Sequence, residues 1–315
     1  MNPLLQLILG GICLSFSPVF VELSDQGPAV IGFVRTGIGG LVLALLFFRE
    51  ISSKPTSSRL PGAMPLLMLT GVAFAADLYF WHRSIELIGG GVATVLGNSQ
   101  VFYVLAMSGI LFQERMGLAF WMCAGIGLVG VSLLSVSTTQ ATYLASRDIR
   151  EISLGLAFGL MTGLCYAIFL LGMKRIQTHH GLSARSTHAL VSLLCAVSLL
   201  VLDRVTGSRL PELMDATRTD WAALVALAIL VHVGGWLLIA TALPAVPSGL
   251  SSMLLLIQPA LATIHGALFF GQRLSSAQMV GTAILLGSVA AANITHARSE
   301  RARAIADSNK RDPET

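Results

Sequence analysis

The stretch NSQVFYVLAMSGILFQER, residues 98–115, begins with polar residues, continues through an apolar run and ends on charged residues. At an offset of 158 positions, residues 256–273 repeat this outline as LIQPALATIHGALFFGQR, so that Gln100 corresponds to Gln258 and Phe112 to Phe270. The match continues without a gap from residues 80–116 to residues 238–274. A constant register over two apolar segments indicates that the chain contains two copies of one unit.

The composition places these segments in a membrane. Of the 315 residues, 54% are hydrophobic and 11% are charged, which leaves too little polar surface for water-soluble domains of this size. The apolar runs are mostly about 20 residues long, the length a helix needs to cross the hydrocarbon core. The predicted membrane-spanning helices cover residues 4–23, 28–48, 64–87, 91–112, 117–137, 153–173, 187–202, 220–242, 249–270 and 276–295.

The repeat divides these ten helices into two units. We predict a first unit at residues 1–137, a connecting loop at 138–152, a second unit at 153–295, and a basic, disordered, cytoplasmic tail at 296–315. Because five crossings is an odd number, a second copy must enter the membrane from the opposite side. The predicted fold is therefore all-α, with ten transmembrane helices arranged as two inverted five-helix repeats. Such repeats can exchange shapes and so expose one site alternately to each side.

The distribution of Lys and Arg sets the expected orientation. It favours a cytoplasmic amino terminus, and the basic tail then places the carboxyl terminus on the same side. We expect that tail to contact anionic lipid rather than nucleic acid.

A second set of features surrounds the repeated stretch. Each copy has a small residue near the end of its third helix and a glycine-rich fifth helix. The two copies differ at two positions: a proline within the fourth helix is present only in the second copy, and an acid after that helix only in the first. The corresponding positions are Ser84 and Ala242, Val101 and Pro259, and Glu114 and Gln272.

On these residues the chain resembles the EamA family of the drug/metabolite transporter superfamily, and the likeness extends from the first helix to the last. The resemblance implies a multi-pass carrier of the bacterial inner (plasma) membrane built from two EamA repeats. Members of this family are associated with the export of amino acids, other metabolites and toxic compounds. The resemblance therefore implies a carrier and leaves its cargo open.

Polar side chains share one helix face at equivalent places in the two copies. Gln100 and Tyr103 lie on one stripe of the fourth helix, and the offset carries this stripe onto Gln258 and His265 of the ninth. These side chains could line a central cavity and bind a polar solute, or they could form hydrogen bonds between neighbouring helices. Asn98 lies almost opposite Gln100 on the helix, so we expect one of the two to be structural.

Asp77 lies in the outer half of the third predicted helix, and Trp81 shares its stripe. It is a candidate proton site or a partner for a cationic group of the substrate. Alternatively, it pairs with His82, Arg83 or Arg35. Three aromatic residues could stack on an aromatic or cationic solute: Trp81, Trp236 and Tyr103. The predicted substrate-binding residues are Asp77, Trp81, Asn98, Gln100, Tyr103, Gln258 and His265.

Three further patterns predict structural roles. Arg35 and Glu22 lie at similar depth in their spans and are expected to neutralise one another. The residues His82, Arg83 and Glu86 are expected to form a salt-bridge cluster at the membrane interface. Glycines at every fourth position of the sixth helix form a face that lets another helix approach closely. They are Gly155, Gly159 and Gly163.

The motifs of other functional classes are missing from the sequence. It contains no HExxH zinc motif, no convincing nucleophile motif and no phosphate-binding loop, so no catalytic residues, enzyme activity or ATP use are predicted. The four cysteines show no paired spacing, and no metal or cofactor is predicted.

The predicted function is that of a secondary transporter exporting a small polar or amphipathic, amino-acid-like metabolite by alternating access. Its expected partners are this small molecule and the lipid bilayer, with proton antiport and facilitated diffusion both open. One alternative is an exporter of lipophilic cations or drugs. An alternative from another class is a membrane receptor or assembly subunit that transports nothing. Cargo, coupling ion, direction and oligomeric state are not specified by the sequence.

Overall fold

The protein is an all-α membrane protein. A computed structural model of the chain describes residues 1–114, 116–136, 144–207, 210–271 and 273–311, and these residues form no β-strand. Seven of their helices are long and apolar enough to cross a membrane, and two shorter apolar helices accompany them. One of the seven is a run of 58 residues, Lys54–Leu111, which contains a break at Gly89 with φ 80° and ψ 157°. Because no regular helix continues through this backbone conformation, the run is two spanning helices and the total is ten.

The helices of the first repeat follow the predicted order. They are α1 (Pro3–Ser15 and Ser17–Glu22), α2 (Pro28–Leu46), α3 (residues 54–88), α4 (residues 90–98 and Gln100–Leu111) and α5 (Leu118–Leu134). A short helix, Phe48–Ile51, lies between α2 and α3.

The second repeat has the same number of spans. They are α6 (Ile149–His180), α7 (Ala184–Thr206), α8 (Arg218–Ala245), α9 (Ser248–Leu255 and Ile257–Phe270) and α10 (Ser276–Arg311). Between α7 and α8 the residues Leu210–Asp215 form a 3₁₀ turn.

Several helices are longer than their apolar runs. The helix α6 begins at Ile149, inside the predicted connecting loop, because Asp148 and Glu151 form a capping box at its amino end. The helix α10 continues through Arg311, past the predicted end at residue 295, since alanine and arginine in that segment are good helix formers. Apolar length thus located each span, while capping and helix propensity set its ends. Arg115, Gln272, and parts of the predicted loop and tail lie outside the described residues.

The predicted glycine face of α6 is a helix-packing surface. A Cβ atom built on Gly155 would lie 2.5 Å from Ile88 Cγ2, and one built on Gly159 would lie 2.6 Å from Leu96 Cδ1. At Gly163 it would lie 2.8 Å from the Ser99 hydroxyl and 3.1 Å from the Gln100 backbone nitrogen. A side chain at these positions would overlap its neighbours, so α6 packs closely on the end of α3 and on α4 along this face, with backbone contact at Gly163.

The fifth helix of each repeat makes a similar contact with its counterpart. A Cβ atom on Gly130 of α5 would lie 2.8 Å from the Leu285 nitrogen, and one on Gly281 of α10 would lie 2.8 Å from the Gly130 carbonyl oxygen. The pair α5 and α10 therefore joins the two repeats by close backbone packing.

We predict that Gly163→Ala destabilises the protein by about 1–3 kcal/mol, because the new methyl group overpacks a contact bounded by backbone atoms. The measurement is thermal unfolding of the purified protein in detergent. The matched control is Gly125→Ala in α5, where an added Cβ has nothing within 4 Å. That control should be neutral or slightly stabilising, and equal melting temperatures for the two variants would contradict the packing assignment.

Candidate functional site

The helix α9 is interrupted in mid-membrane, and Gln100 supports the interruption. Leu256 lies between the two parts of α9, and its N–H bonds to the Met253 carbonyl at 3.1 Å instead of continuing the α-helical pattern to Ser252. Gln100 Nε2 on α4 donates to the freed Ser252 carbonyl at 3.4 Å. The Gln100 side chain is buried, and its Oε1 has no hydrogen-bond partner among the described residues. The amide nitrogen of Gln100 therefore stabilises the helix break, while the amide oxygen can accept a hydrogen bond from another group.

His265 plays a comparable part at the break in α1. That helix is interrupted at Phe16, where the Val19 N–H bonds to the Phe16 carbonyl at 3.0 Å. The Nδ1 atom of His265 lies 3.2 Å from the Ser15 carbonyl, so Nδ1 carries the proton and donates it. The imidazole also stacks on Phe16 with ring centroids 4.1 Å apart. These contacts give His265 a bracing role between α9 and α1.

The other polar residues predicted on α3 and α4 are only partly buried. Asn98 Nδ2 donates to the Thr94 carbonyl within its own helix at 2.8 Å. Tyr103 packs against the apolar core with part of its ring accessible. Trp81 lies with its ring centroid 5.1 Å from that of His82. Substrate contact by these three residues stays a prediction.

The helices α2 and α3 bring two opposite charges together inside the bundle. Asp77 is 6% exposed, and it interacts electrostatically with Arg35. No nitrogen–oxygen pair between them is closer than 4.0 Å, and neither side chain makes a hydrogen bond to another described residue. The Arg35 Nε is buried without a partner among the described residues, and its guanidinium carbon lies 6.0 Å from the centre of the Phe74 ring. The two charges thus lie more than 4.0 Å apart, a separation that we call the gap.

The second repeat contributes neutral hydrogen-bonding groups beside this pair. Tyr166 of α6 interacts with Asp77 and Arg35, and its hydroxyl also interacts with the Gln258 side chain of α9. The Trp236 ring of α8 lies 5.9 Å from that of Tyr166, and its Nε1 is buried without a partner. We call Arg35, Asp77, Tyr166, Trp236 and Gln258 the polar cluster.

An aromatic layer lies beside the polar cluster. Phe74 and Phe169 stack with their centroids 4.1 Å apart, and Trp236 meets Phe169 edge-on at 4.8 Å. Rings packed in this way are rigid, so they hold the polar groups at fixed positions. The arrangement joins both repeats, because Phe74 belongs to α3 and the other two rings belong to α6 and α8.

A polar contact between α7 and α8 lies against the other face of Phe74. Residues Leu227–Gly235 of α8 form a π-helical turn that contains His232. His188 Nε2 donates to the His232 carbonyl at 2.9 Å, and the Ser192 hydroxyl lies 2.8 Å from His232 Nε2. These bonds satisfy most of the polar atoms in this contact. Both histidines therefore contribute to the packing of α7 on α8.

A cleft opens next to the polar cluster on the predicted outer side. It lies between α2, α3 and α7, and its walls include Gly32, Leu78 and Leu199. Leu78 directly follows Asp77 in α3, and Gly32 lies about one turn outward of Arg35 in α2. Arg35 is itself partly accessible, although it lies within a membrane span. The cleft therefore reaches toward the two charges.

The opposite end of the bundle is closed by a buried ion pair. Glu114, which follows α4, receives a hydrogen bond from Lys174 Nζ at 2.7 Å and another from the Ser248 backbone nitrogen at 2.6 Å. Lys174 of α6 also donates to the Val246 carbonyl at 2.8 Å. The exposed fractions of the two charged side chains are 7% and 16%. We call these four residues the inner seal, since they join the first repeat to the second at the predicted cytoplasmic end.

The structure groups the predicted site residues differently from the sequence. It places Asp77 and Gln258 in one cluster, whereas Gln100 and His265 support helix breaks. The expected pairing of Arg35 with Glu22 is wrong: among the described residues no ion pair joins them, and Glu22 is exposed. Equal depth was a weak criterion because it ignores which way each side chain points. Of the expected cluster of His82, Arg83 and Glu86, the pair of Arg83 and Glu86 is confirmed.

Three members of the polar cluster were not among the predicted site residues. Arg35 could have been recognised as the deepest basic residue of the spans, opposite in charge to Asp77. Trp236 was considered only as a residue that could stack on the solute, and Tyr166 carries no comparable signal, because aromatic residues are frequent in membrane proteins.

We predict that Glu114→Gln and Lys174→Gln each destabilise the protein by about 3 kcal/mol, because each leaves one buried charge without its partner. The double variant should cost clearly less than the sum of the two. Thermal unfolding of all four proteins in detergent measures this coupling. Arg83→Gln is the control, since it breaks an exposed pair and should cost at most about 1 kcal/mol. Additive effects at Glu114 and Lys174 would show that the inner seal is not a coupled pair.

Comparison with known proteins agrees with this architecture. A solved crystal structure superposes with a TM-score of 0.77, covering 93% of this chain and 98% of the other at 15% identity, which shows a common fold. The chain is 25% identical over 266 residues to the threonine/homoserine exporter RhtA of Escherichia coli K12, spanning 83% of this chain and 79% of that protein. An uncharacterized transporter of Archaeoglobus fulgidus is 23% identical, spanning 90% of this chain and 93% of that protein.

The family assignment follows from a match that covers both repeats. The model of the EamA-like transporter family matches residues 1–136 and again residues 153–294. That is a family of membrane transporters and not of enzymes. With ten helices, two repeats and matches over nearly its whole length, the chain belongs to the EamA-like transporter family.

Proposed function

We propose that this protein is a secondary transporter that exports a small, polar or amphipathic, amino-acid-like metabolite across the bacterial inner membrane. The polar cluster is the observation that carries this proposal. It holds a carboxylate and a guanidinium inside the membrane together with hydrogen-bonding groups that have no partner among the described residues. Such groups cost free energy in hydrocarbon, so their presence indicates a site for a polar ligand.

The position of the polar cluster supports alternating access. Arg35 and Asp77 come from the first repeat, and the other three members come from the second. The inner seal closes the predicted cytoplasmic end, while the cleft beside α2 opens at the other end, as in an outward-facing carrier. Exchange of shape between inverted repeats would open the seal and close the cleft around the same cluster.

The cluster also bears on the class of cargo. Arg35 and Asp77 offer one positive and one negative charge, which suits a molecule that carries both. The Escherichia coli relative is named a threonine/homoserine exporter, and both compounds are zwitterions of this kind. The hydroxyl group in each could bond to a neutral donor or acceptor such as Tyr166 or Gln258.

The energy source remains open between proton antiport and facilitated diffusion. Asp77 is the group in the polar cluster best suited to carry a proton, because it is buried and makes no ion pair closer than 4.0 Å. A carboxylate that takes up a proton on one side of the membrane and releases it on the other is a common way to couple transport to a proton gradient.

The alternative of lipophilic-cation export has one observation in its favour, the aromatic layer beside Asp77. Arg35 weighs against it, because a nearby positive charge repels a cation. A non-transporting subunit would have no use for unpartnered polar groups at the seam between repeats.

We predict that everted membrane vesicles containing the protein take up labelled threonine faster than control vesicles, and faster still with an acidic interior if a proton is exchanged. Asp77→Asn should lower this uptake by roughly tenfold or more, since a contact with a charged group contributes about 1.5–3 kcal/mol. Asp215→Asn is the matched control, because Asp215 is exposed outside the spans.

Three outcomes separate the candidate functions. Uptake of cationic dyes without uptake of amino acids would favour the alternative cargo. Uptake of neither class would argue against transport of both. Full threonine uptake by Asp77→Asn would remove Asp77 from the site while leaving the transporter assignment in place.

A further inference from the structure

We propose that Arg35 binds the carboxylate of the cargo while Asp77, across the gap, binds its ammonium group. This inference rests on the proposed function and specifies it further: the polar cluster recognises an α-amino acid as a zwitterion through two side chains of the first repeat.

The first observation is that Arg35 has no structural partner. Its guanidinium makes no hydrogen bond and no ion pair to any other described residue, and its Nε is buried. The Phe74 ring, 6.0 Å away, offers only a weak cation–π contact. A buried structural arginine usually has its donors satisfied, because leaving them unpaired costs several kilocalories per mole. Arg35 therefore has the properties of a ligand-binding residue.

The second observation is the spacing between the two charges. They interact electrostatically, yet they are more than 4.0 Å apart and do not form an ion pair. An α-amino acid carries its ammonium and carboxylate on the same carbon atom. A zwitterion in the gap would give each side chain its opposite charge at hydrogen-bonding distance and would neutralise the site as a whole.

The third observation is the chemistry of the guanidinium. Arginine presents a planar fork that can bond both oxygens of a carboxylate, whereas lysine is a point charge. A site that selects carboxylates by bidentate binding is therefore expected to distinguish arginine from lysine. Arg35 is partly accessible, and Gly32, one turn away on the same helix, lines the cleft.

The experiment uses the purified full-length protein in detergent and measures displacement of labelled threonine by three probes. They are unlabelled threonine, 1-amino-2-propanol, which lacks the carboxylate, and 3-hydroxybutyrate, which lacks the amine. For the wild type we expect threonine to bind at least about tenfold more tightly than either truncated probe. Direct binding of each labelled probe is measured for variants that bind threonine too weakly for displacement.

Arg35→Gln should lose the preference for molecules with a carboxylate, and Asp77→Asn should lose the preference for molecules with an amine. Arg35→Gln should bind threonine and 1-amino-2-propanol with affinities within about threefold of each other. Asp77→Asn should do the same for threonine and 3-hydroxybutyrate. Arg35→Lys should retain part of the preference for the carboxylate, which tests the fork and covers the case in which Arg35→Gln fails to fold. Arg218→Gln, at the exposed start of α8, is the control and should match the wild type.

A tenfold preference for threonine over 1-amino-2-propanol in Arg35→Gln would overturn the role of Arg35, with the transporter assignment unaffected. Unchanged affinities in Arg35→Lys would overturn bidentate binding. If the wild type binds cationic dyes but no threonine, the amino-acid cargo fails together with this inference.

Discussion

The structure depends on one constraint, that a polar group inside the membrane needs a partner within the protein. The constraint is strictest where a helix is interrupted, because each break frees backbone carbonyls that water cannot reach. In this protein the freed carbonyls of Ser252 and Ser15 receive bonds from Gln100 and His265. Both bonds join different helices, so the breaks also fix how α4, α9 and α1 are placed around the centre.

The inner seal meets the same constraint in a way that suits a moving part. A buried ion pair contributes little net stability, because its attraction is largely offset by the loss of hydration. Glu114 and Lys174 can therefore separate when water enters, provided that both become hydrated together. While they are buried, neither tolerates the loss of the other. Such a contact closes one end of the bundle specifically without holding it closed permanently.

Much of the fold could be predicted from the sequence, and the reasons differ between elements. The ten spans follow from apolar length, and the packing of α6 on α4 follows from glycines at every fourth position, since both are properties of single helices. The polar cluster draws one residue from each of five helices, and its assembly depends on how those helices rotate and pack. For Arg35, the depth in the membrane could be predicted from the sequence. The residue beside it could not, because that residue lies on a neighbouring helix. The roles of Gln100 and His265 were equally hidden, because the carbonyls they serve are exposed only by breaks in other segments.

The two repeats share a backbone plan but divide the chemistry between them. The fourth helix of each is interrupted at nearly equivalent places, at Ser99 in α4 and at Leu256 in α9. Different residues accompany these breaks: Pro259, which cannot donate a hydrogen bond, in the second repeat, and Ser99, whose hydroxyl bonds the Leu96 carbonyl, in the first. Both charges of the polar cluster come from the first repeat, while the second supplies a phenol, an indole and an amide. In the proposed alternating-access cycle the repeats exchange shapes but need not exchange ligands, so this division would let one repeat carry the charge recognition while backbone symmetry serves the movement.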